Sequence, residues 1–199
     1  MQRHLVLFVR ASQLGAGKRR LARAIGDVTT VRFERVMLAL LLRRLAFDRR
    51  WRLRIAVTPD IARRRAKRWR RGVETTGQSR GDLGTRMRRA LASCPPGPAV
   101  LVGGDIPALA GPHVAAAFRL LGCSDLVFGP AKDGGFWLVG ARRPRHMPPL
   151  FDHVRWSSQY ALADSLAELP RRIRVGFVER LEDVDDEASY RRLAPRRGF

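Results

Sequence analysis

The feature that most constrains this chain is a regular alternation of short apolar segments with longer amphipathic ones. Segments with the length and composition of buried strands lie at 4–9, 52–58, 99–102, 125–128, 136–140 and 173–177. Segments with helical periodicity lie at 18–25, 30–48, 60–71, 82–93, 112–121, 158–169 and 185–193. Strands and helices in alternation predict an α/β fold whose sheet is covered by helices on both faces.

The length and composition are those of one domain. The chain has 199 residues, of which 45% are hydrophobic, so it can bury a core and is too apolar for wholesale disorder. No apolar run approaches the roughly 20 residues of a membrane-spanning helix. The N-terminal apolar stretch is too short for a signal peptide and lacks a small-residue cleavage site. We therefore predict a single domain over 1–199, without a transmembrane segment and located in the cytoplasm.

The charge of the chain is strongly positive and unevenly distributed. The formal net charge is +21, and residues 1–80 hold 22 Lys+Arg against 5 Asp+Glu, a net of +17. This excess indicates an anionic partner such as nucleic acid, a phosphorylated substrate or an anionic membrane, although a solvated basic face would look the same. No zinc finger, RRM signature or basic heptad run is present, and aromatic residues make up only 8% of the chain. Nucleic-acid and membrane contacts are therefore not the favoured functions.

The first candidate site is the loop RASQLGAGK, which follows a predicted strand and opens a helix. Free backbone N–H groups and the helix dipole make this position suitable for phosphate. The loop is not a nucleotide-binding P-loop, since Ser12 and Arg19 occupy the positions that need Gly and Ser or Thr. A glycine-rich loop followed by Lys18, Arg19 and Arg20 remains, and it equally fits a solvated basic helix start.

The second candidate is Asp105, which follows the strand-like run VLVGG. In open α/β sheets, ligands bind at the carboxyl ends of the strands. A buried carboxylate needs a cation, and Mg²⁺ or Mn²⁺ bridging to substrate phosphates often uses only one or two carboxylates. The alternative is that Asp105 caps the turn before Pro107.

Three further motifs allow both a structural and a functional interpretation. The first, Asp133-Gly134-Gly135, is a hairpin-turn signal or a loop where the backbone approaches a ligand. The second, Asp82 flanked by glycines, is a helix cap or a ligand contact. The third, the acidic segment at 181–188, is a helix N-terminus or the source of a second metal ligand.

In their order along the chain, these motifs resemble a known family. The blocks that carry the resemblance are Gly15-x-x-Lys18-x-Arg20-Leu21, the run from Gln78 to Met87, Gly104-Asp105-x-Pro107, the run from Gly129 to Gly140, Trp156-Ser157-Ser158 and Asp183-Val184-Asp185. Across 4–193 the chain resembles small bacterial glycosyltransferase-like proteins associated with radical-SAM or selenoprotein gene clusters. More distantly, it is similar to the guanylyltransferases of molybdenum-cofactor and phospholactate chemistry.

The resemblance implies a three-layer, Rossmann-like GT-A fold, the nucleotide-diphospho-sugar transferase fold, with a mixed, mostly parallel sheet. It implies a nucleotide-binding half at about 1–105 and an acceptor half at about 106–199. Gly15, Lys18 and Arg20 would contact the phosphates, and Gln78, Gly81, Asp82 and Gly84 would line the base or ribose pocket. Asp105 would hold the metal, with Asp185 or Asp183 as the second ligand. On the sugar or acceptor side it would place Asp133, Gly134, Gly135 and Trp156, with Asp133 as the candidate base.

The resulting prediction is a metal-dependent transferase with a nucleotide-activated donor, preferably a nucleotide sugar, and an unknown acceptor. A divalent ion on Asp105 would neutralise the leaving diphosphate, and Lys18 and Arg20 would stabilise the same charge. The first alternative is a nucleotidyltransferase that forms a diphosphate bond from an NTP. The second is a nucleic-acid-binding protein on a catalytically silent fold.

Overall fold

Seven strands form one sheet in the computed structural model, which describes residues 1–193. They are β1 (His4–Arg10), β2 (Arg52–Thr58), β3 (Glu74–Gly77), β4 (Ala99–Gly103), β5 (Leu126–Pro130), β6 (Phe136–Ala141) and β7 (Val175–Phe177). Their order across the sheet is β3-β2-β1-β4-β6-β5-β7. Only β6 runs antiparallel to its neighbours, β4 and β5. The predicted mixed, mostly parallel sheet is confirmed.

Seven α-helices accompany the strands in the described part of the chain. They are α1 (Arg19–Ile25), α2 (Asp27–Leu45), α3 (Arg63–Ala66), α4 (Leu83–Ala92), α5 (Gly111–Leu120), α6 (Ala161–Ala167) and α7 (Glu187–Leu193). Short 3₁₀ turns lie at Asp60–Ala62 and Pro144–His146. Among residues 1–193, no helix combines the length and the apolarity that crossing a membrane requires.

Two details of the secondary structure differ from the prediction. A continuous helix over 60–71 is wrong, because the chain there forms only a 3₁₀ turn and the four-residue helix α3. Within those two elements only the small side chains of Ala62 and Ala66 are buried, which stabilise a helix little, and beyond α3 the chain continues in turns that bring Trp69 against the core. The edge strand β3 was not predicted, since its four residues, ETTG, bury only Thr75.

The sheet separates two apolar layers, and β1 contributes to both. Leu5, Leu7 and Val9 pack with one face of the core, whereas Val6 packs with the other. This alternation follows from the two-residue side-chain period of a strand. Full burial of each such side chain stabilises the fold by about 1.5–3 kcal/mol. Flanked by β2 and β4, β1 is therefore an interior strand that contributes to the core on both faces of the sheet.

The sheet brings the predicted site segments to one edge. Because β1, β2 and β4 are parallel, the loops that follow Arg10, Thr58 and Gly103 all begin at the carboxyl end of the strands. The chain order also reverses between β1 and β4, since β2 lies on the opposite side of β1. Such a switch point opens a crevice at the carboxyl ends of the two strands.

Candidate functional site

A cavity of about 650 Å³ lies at the switch point between β1 and β4. Its basic lining residues are Arg10, Lys18, Arg19 and Arg20, and its acidic side, where Lys18 pairs with carboxylates, carries Asp105, Asp133, Asp183 and Asp185. An apolar wall is formed by side chains from several elements, among them Phe8, Leu83, Met87, Phe136 and Trp156. The cavity thus offers cations, carboxylates and an apolar surface to one ligand.

Three aspartates converge on the acidic side. One carboxylate oxygen from each of Asp105, Asp183 and Asp185 lies within 4.8 Å of the other two. Backbone hydrogen bonds hold the 181–185 segment in place: Val184 donates to the carbonyl of Asp105 at 3.1 Å, and Leu181 to that of Pro130 at 3.1 Å. The sheet therefore places side chains from distant parts of the sequence together.

Lys18 occupies the centre of this carboxylate group. Its Nζ donates to Oδ2 of Asp105 at 2.7 Å and to Oδ1 of Asp185 at 2.8 Å, and its side chain is only 12% exposed. Burial alone would lower the pKa of Lys18, but the two carboxylates outweigh burial and raise it. Lys18 is therefore a firmly held cation between two carboxylates.

The carboxylate group fits a divalent cation. Asp183 and the two partners of Lys18 present oxygen atoms, the donors that Mg²⁺ and Mn²⁺ accept. Burial, together with the charges of Asp105 and Asp133, raises the pKa of Asp183 to about 6. Burial is the largest cause of this rise, and the neighbouring carboxylates add to it against the opposing charge of Lys18. Asp105, Asp183 and Asp185 could therefore hold the cation.

The elevated pKa of Asp183 predicts a pH-dependent stability. The ordinary pKa of 3.8 applies to the unfolded chain, so between about pH 4 and pH 6 the folded protein retains a proton that the unfolded chain loses. The contribution of Asp183 to stability is therefore lost as the pH rises. We expect metal-free protein to lose about 1 kcal/mol more unfolding free energy than Asp183→Asn between about pH 5 and pH 7. Urea unfolding with a chelator measures this difference, and equal pH dependence in both proteins would contradict it.

The loop between β1 and α1 delivers the cations. Ala16 donates a backbone hydrogen bond to Gln13, closing a tight turn in which Gly15 has a φ of 70°. Gly15 lies outside the set of residues that line the cavity, whereas Arg19 and Arg20 line it from the first turn of α1. The structure thus brings two of the three predicted phosphate-binding residues, Lys18 and Arg20, to the cavity.

Glu34 is a cavity residue that carried no signal in the sequence. It lies within α2 and lines the cavity near Gly17, whose Cβ, if present, would come within 2.9 Å of Oε1. Its Oε2 is buried without a hydrogen-bond partner in the described part of the chain. Burial raises the pKa of Glu34, opposed by a hydrogen bond with Ser12 and by the charge of Lys18. A single Glu on a basic helix has no sequence pattern to single it out.

The residues predicted to line the base or ribose pocket lie beside the cavity. Gln78 is buried, donates from Nε2 to the carbonyls of Val9 and Ala56, and accepts at Oε1 from Arg86. Asp82 caps α4, where its Oδ1 accepts from the backbone N–H of Thr85 at 2.7 Å.

The two predicted glycines flank this cap. Gly81 has a φ of 120°, and a Cβ on Gly84 would meet the Cβ of Phe151 at 2.4 Å. Gly84 therefore allows α4 to pack closely, and Leu83 and Met87 of the same helix reach the cavity wall. A direct role of Gln78, Gly81, Asp82 and Gly84 in ligand binding stays a prediction.

The acceptor-side residues form a turn and an aromatic wall. Asp133 lies in the connection of the β5–β6 hairpin, and its Oδ1 accepts from the backbone N–H of Gly135 at 2.9 Å. A Cβ on Gly134 would lie 2.1 Å from the carbonyl oxygen of Gln159, so the turn needs glycine there. Phe136 stacks on Phe151 with ring centroids 5.8 Å apart, and Trp156 packs edge-on against Phe136. Asp133, Gly135 and Trp156 all line the cavity.

Comparison with known proteins places this geometry in context. A family model described as "Uncharacterized protein conserved in bacteria (DUF2064)" matches residues 41–158. No curated protein matches the sequence. A crystal structure from Desulfovibrio desulfuricans G20, provisionally named a nucleotide-diphospho-sugar transferase, has a TM-score of 0.85 and 27% identity, covering 100% of this chain and 90% of its own.

More distant structures share the fold. Rv0371c of Mycobacterium tuberculosis H37Rv, in complex with manganese, has a TM-score of 0.59 and 17% identity, covering 99% of this chain and 100% of its own. The 4-diphosphocytidyl-2C-methyl-D-erythritol synthase of Anaerococcus prevotii has a TM-score of 0.59 and 10% identity, covering 98% and 97%. These matches confirm the predicted fold class and the resemblance to proteins with the nucleotide-diphospho-sugar transferase fold.

Proposed function

The chain belongs to the DUF2064 family, and from that premise we propose that it is a metal-dependent transferase that uses a nucleotide-activated donor. The preferred donor is a nucleotide sugar. The similarity to the Desulfovibrio protein over the whole chain supports this choice, because the name of that protein refers to nucleotide-diphospho-sugar transfer.

The observation that carries the proposal is the position of Lys18 among the aspartates. Lys18 lies between Asp105 and Asp185, so a cation suited to phosphate and a group of carboxylates suited to a divalent metal share one cavity. Both kinds of group serve transfer from nucleotides, because each neutralises the several negative charges of the leaving phosphates. Their location at a switch point of the sheet is the usual position of a ligand in this fold class.

The proposed reaction is a displacement at the anomeric carbon of the donor. The bond from that carbon to the diphosphate oxygen breaks, a bond to the acceptor oxygen forms, and the nucleoside diphosphate leaves with the electron pair. Asp105, Asp183 and Asp185 would hold a divalent ion, which would neutralise the negative charge of the leaving group. Lys18 and Arg20 bind the same phosphates, and Asp133 takes the proton of the acceptor. The apolar wall at Phe136 and Trp156 offers a packing surface to the non-charged part of the substrates.

A ligand screen tests the proposal directly. With Mn²⁺ present, a nucleotide sugar at about 100 times its Kd should stabilise the protein by about 2.7 kcal/mol. For a chain of this size, that stabilisation raises the Tm by roughly 5–10 °C. The screen should include nucleotide sugars and NTPs of every base, each with and without Mn²⁺. If no compound in either panel raises the Tm, the proposed function is wrong.

The second candidate function is nucleotidyl transfer, in which a substrate phosphate attacks the α-phosphate of an NTP. The arginines of the cavity favour it, since Arg10, Arg19 and Arg20 are present beside the carboxylate-paired Lys18 and a triphosphate carries more negative charge than the diphosphate of a nucleotide sugar. The products separate the two reactions. Glycosyl transfer releases a nucleoside diphosphate, whereas nucleotidyl transfer releases pyrophosphate.

A further inference from the structure

We propose that the surface beside the cavity, on the β2 side of the sheet, docks onto an anionic lipid bilayer. This surface, called here the arginine rim, consists of Leu14, Ile61, Arg63, Arg64 and Arg65. The proposal goes beyond the transferase function and does not depend on it.

The rim is a continuous feature of the carboxyl edge of the sheet. Leu14 lies in the loop after β1, and Ile61 follows the adjacent parallel strand β2, whose Thr58 pairs with Arg10. The two loops touch, because the guanidinium of Arg65 donates to the carbonyl of Ser12 at 3.2 Å. Ser12 also lines the cavity, so the rim borders the proposed site.

The apolar side chains of the rim protrude into solvent. Ile61 is 86% exposed and Leu14 is 67% exposed, so neither contributes much to the core. Two exposed aliphatic side chains on neighbouring loops, with arginines around them, have the composition of an interfacial membrane anchor.

The charge of the rim is not neutralised within the protein. Residues 60–71 carry seven Lys+Arg and a single acid, Asp60. Asp60 is engaged elsewhere, since its Oδ1 accepts from the backbone N–H of Ser79. Across residues 1–193, no ion pair forms between a carboxylate and Arg63 or Arg64. The rim therefore presents unpaired positive charge that attracts an anionic partner.

Among anionic partners, a lipid surface fits the rim best. A second copy of the chain would oppose one arginine cluster to another, which like-charge repulsion disfavours. Nucleic acid would match the charge but would leave Leu14 and Ile61 without an apolar environment. A bilayer with anionic headgroups satisfies both, because it offers negative charge at the surface and acyl chains just beneath it.

The test is sedimentation of the protein with vesicles of phosphatidylcholine containing about 30% phosphatidylserine at about 0.15 M salt. We expect binding to these vesicles and none to pure phosphatidylcholine. Arg63→Ser/Arg64→Ser should weaken binding roughly 30-fold, at about fivefold per arginine. Leu14→Ser/Ile61→Ser should weaken it about tenfold through lost apolar insertion.

Two variants away from the rim serve as controls. Arg142→Ser/Arg143→Ser removes the same charge from the opposite edge, where antiparallel β6 ends, and Phe177→Ser removes a half-exposed apolar side chain from distant β7. Both should bind the vesicles like the unchanged protein. Unaltered Tm values confirm that the rim variants are folded.

Several results would overturn the proposal. Absence of vesicle binding is one, and equal loss in the rim and control variants, which indicates a diffuse charge effect, is another. Binding to a DNA or RNA duplex at the same salt, in preference to vesicles and unaffected by Leu14→Ser/Ile61→Ser, would identify nucleic acid as the partner.

Discussion

Replacing Asp105 with alanine is expected to abolish Mn²⁺-dependent nucleotide binding and to reduce turnover by about 10²–10³-fold. Asp105 contributes one of three converging carboxylates and one of the two hydrogen-bond partners of Lys18. Its loss removes a ligand from the cation site and frees Lys18 from its fixed position. Transition-state neutralisation by a divalent ion amounts to several kcal/mol, which corresponds to a rate effect of that size.

The control for this variant is Asp152→Ala. Asp152 is an exposed carboxylate that pairs with Arg88 at 3.7 Å, away from the residues that line the cavity. The Asp152→Ala substitution removes the same charge, but the affinities for Mn²⁺ and nucleotide, measured by calorimetry, should stay unchanged. Both variants should unfold cooperatively with Tm values close to that of the unchanged protein. Undiminished Mn²⁺-dependent binding in a folded Asp105→Ala protein would remove Asp105 from the site.

Local patterns were sufficient for most of the fold. Between its ends, β1 is apolar from Leu5 to Val9 because the strand is buried on both faces, and continuous apolar runs of this kind are typical of parallel central strands. The sequence pattern failed to predict the secondary structure where packing against distant residues determines it. β3 is an edge strand with one buried side chain, and the helix within 60–71 is short because the residues buried in its elements are the small Ala62 and Ala66.

For the site, the sequence predicted individual residues but not their partners. Asp105 follows a buried strand and Lys18 opens a helix, so each is marked by its local position. Their ion pair spans 87 positions, and no local pattern encodes such a separation. The local sequence also could not decide whether Asp183 or Asp185 is the second candidate metal ligand. The loop conformation brings both carboxylates to the same point as Asp105. Glu34 enters the cavity only because α2 packs beside the β1–α1 loop.

The ion pairs of Lys18 lead to a second prediction with effects of opposite sign. Its Nζ lies at hydrogen-bond distance from Asp105 and Asp185, so a cation bound by these carboxylates must compete with it. Lys18→Met removes the competitor, and the affinity for Mn²⁺ alone should rise about tenfold. The same change removes a charged hydrogen-bond donor from the phosphates, so nucleotide affinity in saturating Mn²⁺ should fall about 10–100-fold.

The loss of these ion pairs should also lower the free energy of unfolding of the Lys18→Met variant. Without metal, Lys18→Met leaves three neighbouring carboxylates without their cation, at a cost of about 1–2 kcal/mol because Asp185 is more than half exposed.

Calorimetric titration of Mn²⁺, and then of nucleotide, measures the two opposite effects of Lys18→Met. Lys132→Met is the matched control, since it breaks the exposed pair of Lys132 with Glu182 and should change neither affinity. If Lys18 is a purely structural cation, its loss should weaken Mn²⁺ and nucleotide binding together through a disordered site. If it is the phosphate-binding group, the two affinities should move apart. Equal losses of both affinities would therefore assign Lys18 to the framework and leave the phosphates to Arg19 and Arg20.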